Sequence, residues 1–339
     1  MKYWLPIVIF LFAAQVQAEP DQELAYQLKA SVVKVHVVTQ SGGHGVGSGV
    51  AVGKDLVATN CHVLSNAAGV TISKFGDSFT PVALKADWGH DVCILRFQYL
   101  DMTPAVLGDS DALQYEQEIF SIGFPGGRPK PLTTTGKIKG LYPLDDAMIV
   151  RTSASFMMGA SGSPVFDQAG KLIALNTFKS PGKGAFFYNV PVKWIKALLD
   201  TPDVEFNSLA AKATPFWDAP EASWPYFMRV VLPYQNQDWD ALAQIAGEWV
   251  KQSPDSVEAQ YYLAMALLGK GQINEAQQAL TKALALQPQH PASLLALGLI
   301  AEKTGRTEEV TRIENVLAAM SPDLTEEFAL MLKSEASPH

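Results

Sequence analysis

From Ser31 onward the apolar positions alternate, with Val33, Val35 and Val37 on one side of an extended segment and Val32, Lys34 and His36 on the other. A period of two with β-branched enrichment predicts a strand. Short apolar runs then recur between turn residues, at 48–52, 56–59, 82–86, 92–97, 118–122, 133–140, 148–152, 165–166, 171–177 and 185–190. Helical spacing shows only at the edges of this region. Leu24 and Leu28 share a face within 20–30, and Val192, Ile195, Leu198 and Leu199 mark a helix over 192–200. Many short strands with almost no helix predict a barrel or sandwich rather than an α/β sheet. The glycine-rich run Gly42–Gly49 is followed by a strand, not by a helix with a Lys-Ser/Thr pair. It therefore reads as a tight turn between strands and not as a phosphate cradle.

Residues 201–220 have no period and carry Pro202, Pro215 and Pro220, so they read as a linker. Beyond them Pro254, Pro288 and Pro322 fall 34 residues apart, with amphipathic helix pairs between them. Leu263, Gly271, Ala276, Leu280, Ala283 and Pro288 occupy the small and apolar positions of the middle unit. Leu297, Gly298 and Gly305 do so in the next, where Val310 and Glu314 are atypical. Trp239, Leu242, Ala246, Trp249 and Pro254 mark a degenerate first unit. The period predicts two to three tetratricopeptide-type repeats, capped by a helix over 325–333. An unrelated helical bundle is the alternative.

Composition adds a division to this picture. Residues 1–200 hold 17 basic against 16 acidic side chains and residues 201–339 hold 9 against 18, making up the 26 and 34 of the whole chain and its net charge of −8. A balanced first part and an acidic second part imply two modules and argue against a nucleic-acid partner, which needs a basic face. Met1-Lys2, the apolar run from Tyr3 to Ala14 and Val16-Gln17-Ala18 read as a secretory signal peptide cleaved after Ala18. That run falls short of the ~20 apolar residues of a membrane span, so no span is expected after cleavage.

Chemistry concentrates at Gly159-Ala160-Ser161-Gly162-Ser163-Pro164, where a hydroxyl stands between glycines just before an apolar strand. Small neighbours let a carbonyl approach, and glycine gives backbone N–H groups the freedom to point at an oxyanion. Of six histidines only His290 and His339 follow Ser161, which leaves a Ser–acid–His order without a plausible base. Upstream, His62 in Thr59-Asn60-Cys61-His62 and Asp91 in Asp91-Val92-Cys93-Ile94-Leu95 give the order His, Asp, Ser. Asp87 and Asp101 lack a following apolar strand, so Asp91 is the preferred acid. These three motifs resemble those of trypsin-like serine endopeptidases, and most of all the bacterial HtrA/DegP type, over roughly residues 30–200.

The resemblance implies a chymotrypsin-like fold of two six-stranded barrels meeting at a cleft, with His62 and Asp91 from the first and Ser161 from the second. His62 would act as base, Asp91 would orient it, and the N–H groups of Gly159 and Ser161 would form the oxyanion hole. It places Ser155 and Phe156 at the base of the specificity pocket, with Leu175, Asn176 and Thr177 along one wall and Tyr188 at another. None is charged, so an apolar or small residue before the cut bond is expected, not Lys or Arg. If His62 and Asp91 touch, Cys61 and Cys93 are close; in an oxidising compartment they would form a disulfide, the alternative being two buried thiols. Three positions depart from the pattern. Ala160 stands where activated secretory trypsins carry an aspartate, Ser163 replaces a glycine, and helical repeats take the place of the PDZ module of the HtrA-like group.

The resulting assignment is a signal peptide at 1–18, a peptidase domain at 19–200, a linker at 201–220 and a helical repeat domain at 221–335. Its expected function is that of a periplasmic or secreted serine endopeptidase acting on proteins or peptides. The repeats would bind substrate or a partner, or pair subunits. No cofactor is expected, and His36, His44 and His90 lack metal-ligand spacing, so no catalytic metal is expected either. The competing reading is an idle peptidase-like scaffold acting through its repeats.

Overall fold

The computed structural model describes residues 21–74, 76–182, 184–206 and 213–336, so the stretch read as a signal peptide lies outside the described residues. The alternating segments form β1 (Val32–Thr39), β2 (His44–Gly53), β3 (Leu56–Thr59), β4 (Ala67–Lys74), β5 (Asp77–Phe79), β6 (Ala83–Asp87) and β7 (Val92–Arg96). A second set comprises β8 (Glu118–Gly123), β9 (Leu132–Leu144), β10 (Ala147–Thr152), β11 (Pro164–Asp167), β12 (Leu172–Lys179) and β13 (Phe187–Pro191), and β14 (Val204–Glu205) follows. The second set closes as a barrel in the order β10-β13-β12-β11-β8-β9. The first forms an eight-stranded antiparallel sheet, β14-β6-β7-β3-β2-β1-β4-β5.

Two barrel-like sheets are the expected architecture, but the first has eight strands where six were expected. The β4–β5 hairpin extends one edge, and β14, from the stretch read as linker, pairs with β6 at the other. The glycine-rich run also differs from its reading. Only its first residues turn, and from His44 it is part of β2. A Cβ on Gly47 would lie 2.6 Å from the Val63 side chain, and one on Gly49 would lie 2.8 Å from that of Val57. These glycines serve close packing between elements rather than chain reversal.

Val33, Val35, Val37, Val57, Ile72 and Leu95 fill the core of the first sheet, as the alternation requires. Val32, Val50 and Ile94, on its other face, join a core that runs through Phe120, Phe166 and Tyr188 of the second barrel. Two helices flank the strands, α1 (Gln22–Leu28) and α2 (Val192–Leu199). The helical region comprises α3 (Tyr226–Arg229), α4 (Val231–Gln235), α5 (Trp239–Gln252), α6 (Val257–Gly269), α7 (Ile273–Leu286), α8 (Pro291–Lys303), α9 (Thr307–Met320) and α10 (Pro322–Ala336). Among the described residues no helix is long and apolar enough to cross a membrane.

The helices pack directly on the second barrel. Phe227 of α3 stacks on Tyr142 with ring centroids 4.8 Å apart. The Tyr115 hydroxyl donates to Glu258 at 2.9 Å, and Lys137 pairs with Asp323 at 2.6 Å. One continuous core thus carries both regions.

Candidate active site

Two elements of the first sheet deliver His62 and Asp91. β3 ends at Thr59 and runs into a short 3₁₀ turn, Cys61–Leu64, which carries His62. The chain reverses between β6 and β7, and Asp91 ends that reversal with φ of +61°, a left-handed conformation that aspartate tolerates better than most residues. Its carboxylate is fully buried. Oδ1 accepts the His62 backbone N–H at 2.7 Å, and Oδ2 faces His62 Nδ1 at 2.6 Å. A carboxylate only accepts, so the proton between them sits on Nδ1, which leaves Nε2 as the ring nitrogen turned away from Asp91. Cys61 and Cys93 are bridged on either side of this contact, with Cα atoms 4.9 Å apart, which ties the histidine turn to β7.

Ser161 lies in a turn before β11, between Gly159 (φ +90°) and Gly162 (φ +82°). Its carbonyl accepts the Ser48 N–H at 2.8 Å, which registers the serine turn against β2 of the first sheet. A side chain on Gly162 would overlap the Ser48 carbonyl and the Thr59 hydroxyl, so the turn sits against the strand that leads to His62. Among the described residues no hydrogen bond joins the Ser161 hydroxyl to the His62 ring. Serine–histidine contacts of this kind commonly tighten only when substrate is bound.

The two peptides that flank Gly159 are each held through their carbonyl. The Met158 carbonyl accepts the Gly126 N–H at 2.7 Å, and the Gly159 carbonyl accepts the Ser48 hydroxyl at 2.9 Å. In a planar trans peptide the C=O and N–H point in opposite directions. Fixing the Met158 carbonyl on Gly126 therefore turns the Gly159 N–H to the other side. Neither that N–H nor the one of Ser161 has an acceptor among the described residues. Ser48 is itself buried and accepts the Phe124 N–H at 3.0 Å.

The residues named for a specificity pocket divide. Ser155, Phe156 and Asn176 line a cavity of about 330 Å³ together with Arg128, Met157 and Ser163. Leu175 and Tyr188 are fully buried in the barrel core, Tyr188 stacking on Phe178 at 4.8 Å. The Thr177 hydroxyl donates to the Leu175 carbonyl at 2.8 Å and accepts Asn60 Nδ2 at 3.1 Å, while the same Nδ2 donates to the Asp91 carbonyl at 2.9 Å. Thr177 thus braces the acid's backbone across the two sheets.

Sequence reasoning missed three contributors. Ser48 lay where the glycine-rich run meets the strand expected over 48–52, with no chemistry assigned to it, and Gly126 in a loop with no chemistry of its own. Trp217 lay in the supposed linker, yet its Nε1–H donates to Asp91 Oδ2 at 3.0 Å and its ring meets that of His62 edge-on at 5.2 Å. The one signal for it was an adjacent aromatic pair, Phe216-Trp217, in a stretch without a period.

Residues 47–175 match the family model of the trypsin-like peptidase domain, and residues 257–290 that of the tetratricopeptide repeat. The chloroplastic protease Do-like 1 of Arabidopsis thaliana is 30% identical over 46% of this chain and 39% of its own length. A probable periplasmic serine endoprotease, DegP-like, of Chlamydia muridarum is 28% identical over 45% of this chain and 33% of its own. Among solved structures, the serine endoprotease from Yersinia pestis is 18% identical with a TM-score of 0.49, covering 58% of this chain and 69% of that one. The chain spans about a third of the length of these two curated relatives. It carries a trypsin-like peptidase domain similar to those of HtrA/DegP-like serine proteases, followed by a tetratricopeptide repeat region.

Proposed function

We propose that this protein is a serine endopeptidase that hydrolyses protein substrates through His62, Asp91 and Ser161. The observation that carries this reading is the 2.6 Å contact between His62 Nδ1 and buried Asp91, on the same strand system that registers the Ser161 turn. In this reading His62 Nε2 removes the Ser161 proton as Oγ attacks the scissile carbonyl. Asp91 keeps the ring in the required tautomer and stabilises the imidazolium. The oxyanion of the tetrahedral intermediate is received by the Gly159 and Ser161 N–H groups, each such donor being worth about 3–4 kcal/mol in a desolvated site. His62 then returns the proton to the leaving amine, which departs, and water repeats the sequence on the acyl-enzyme.

The cavity lined by Ser155, Phe156 and Asn176 supports a preference for an apolar or small residue before the cut bond. Arg128 on its wall disfavours a cationic one. We assign the peptidase domain to 19–200, the connection to 201–220 and the helical domain to 221–335, with residues 1–18 as a cleaved export signal. A periplasmic or secreted location follows from that signal and from relatives named periplasmic endoproteases. The repeats would bind substrate or a protein partner, or pair subunits.

The test is labelling with a fluorophosphonate. The wild type should be labelled and Ser161→Ala should not, with turnover lowered by about 10⁴–10⁶-fold in the variant. Folded wild type that resists the probe would favour an idle scaffold. Cut sites falling after Lys or Arg would overturn the specificity.

A further inference from the structure

The stretch between the barrels and the helices contributes to the site itself. At its Phe216–Trp217 turn the Phe216 N–H donates to the Gly89 carbonyl at 3.0 Å, two residues before Asp91. The Phe216 ring meets Phe178 edge-on at 5.5 Å and Trp194 at 6.5 Å. Trp217 lies nearly parallel to Phe178, with centroids 5.5 Å apart and planes 10° apart. These contacts aim the indole N–H at Asp91 Oδ2, the same oxygen that faces His62 Nδ1. The Thr177 hydroxyl, which reaches the same neighbourhood through Asn60, is committed to the Leu175 carbonyl and does not take this role.

We propose that Trp217 is a positioning residue of the triad, supplied by the connecting segment rather than by either barrel. The proposal rests on the reading of His62, Asp91 and Ser161 given above. A carboxylate oxygen with two donors has a fixed rotation, and in a buried site each charge-assisted bond is strong. The indole N–H therefore holds the acid in the plane that presents His62 Nε2 to the serine, while the edge of the ring backs the imidazole. The segment that carries it is anchored further on, where Phe227 packs on Tyr142 and Tyr188. The site is therefore complete only when the connection to the helices lies against the barrels.

The experiment uses the full chain with Trp217→Phe, which keeps an aromatic face for Phe178 and deletes the donor. One hydrogen bond to a buried charged group corresponds to a fall in kcat of about tenfold, with KM within about twofold, since no substrate contact is removed. The low-field proton resonance of His62 Nδ1–H should move, and the melting temperature should change by no more than a few degrees. Phe178→Leu, which loosens the stack and leaves the indole in place, should give a smaller loss of kcat. Unchanged kcat with an unmoved resonance would overturn the proposal, as would a melting shift large enough to account for the whole loss. The resonance is read without turnover. If wild type resists the fluorophosphonate and the resonance still moves in the variant, the endopeptidase reading fails while the indole–carboxylate link stands.

Discussion

Ser48 links the two barrels through one hydroxyl, and Ser48→Ala isolates what that hydroxyl does. It donates to the Gly159 carbonyl at 2.9 Å and accepts the Phe124 N–H at 3.0 Å, in a residue with no exposed surface. Alanine fits the same space, so neither a cavity nor a clash complicates the comparison. The substitution leaves a buried N–H and a part-buried carbonyl without partners, at about 1–3 kcal/mol for the first and less for the second, or roughly 2–4 kcal/mol together. The backbone bond from Ser48 N–H to Ser161 survives, so the serine turn stays in register. What loosens is the Gly159–Ala160 peptide, then held only by the Ala160 N–H on the Met157 carbonyl at 3.0 Å, and with it the adjoining Gly159 N–H, whose own peptide is fixed only through Met158 and Gly126. Complete loss of an oxyanion donor costs about 10²–10³-fold, so partial loss predicts a fall of about tenfold in the rate of fluorophosphonate labelling. Urea unfolding followed by tryptophan fluorescence, with labelling rates on the same preparations, gives both quantities. A stability change under about 0.5 kcal/mol with an unchanged rate would refute the reasoning. Lost stability with an unchanged rate would mean that Ser48 fastens the barrels but not the oxyanion loop.

Two further expectations concern contacts around the site. His90 pairs with Asp87 at 2.6 Å and with Asp145 of the second barrel at 2.8 Å; hydrogen bonding to Asp87 and then Asp145, against burial, raises its pKa from 6.5 to about 9. A raised folded-state pKa gives stability that is present below about pH 6.5 and lost as pH rises through about 9. The exposed carboxylates reduce the dry value of about 3.4 kcal/mol to about 1–2 kcal/mol. His90→Asn should flatten the melting-temperature profile between pH 7 and 10, and a variant that parallels wild type across that range would count against the bridge. Opening the Cys61–Cys93 bond releases a loop with a sequence separation of 32, which loop-closure entropy values at about 3–4 kcal/mol. Urea midpoints with and without reductant should differ accordingly, and coincident midpoints would show that no bond forms.

The strand pattern, the repeat period and the order of three short motifs were legible because each is local. Alternation marks a half-buried strand whatever it packs against, as the burial of Val33, Val35 and Val37 shows. β4 escaped notice because Ala67, Ala68 and Gly69 dilute the alternation, leaving only Val70 and Ile72 to carry it. β14 and the Phe216–Trp217 turn escaped for a different reason. Two residues pairing with β6 leave no period, and an indole aimed at a carboxylate 126 positions earlier leaves no local trace. The supporting shell of this site consists of such contacts: Ser48 to Gly159, Gly126 to Met158, Asn60 to Thr177 and Trp217 to Asp91. Each joins segments far apart in the chain, and none leaves a periodic pattern around the residue that makes it.

The helical region raises the same question of why a contact is there. Glu258 of α6 is buried at the junction, accepts the Tyr115 hydroxyl at 2.9 Å and lies 3.4 Å from His290. Burial pushes its carboxyl up, but His290, Arg151 and Tyr115 outweigh burial and hold it below the usual carboxylate range. Arg151 lies over the Phe186 ring at 4.5 Å; burial disfavours its charge, and the neighbouring tyrosines and Glu258 restore it. Desolvating such charges costs about as much as their attraction returns, so the network adds little to overall stability. Its effect is on geometry, because a buried carboxylate is satisfied only where its donors converge. Directional contacts of this kind favour one register of the helices on the barrel, alongside the apolar packing there. That register places Phe227 on Tyr142, and with it the segment that brings Trp217 to Asp91. The ionic contacts between the helices and the barrel therefore serve the site by fixing where the connecting chain must run.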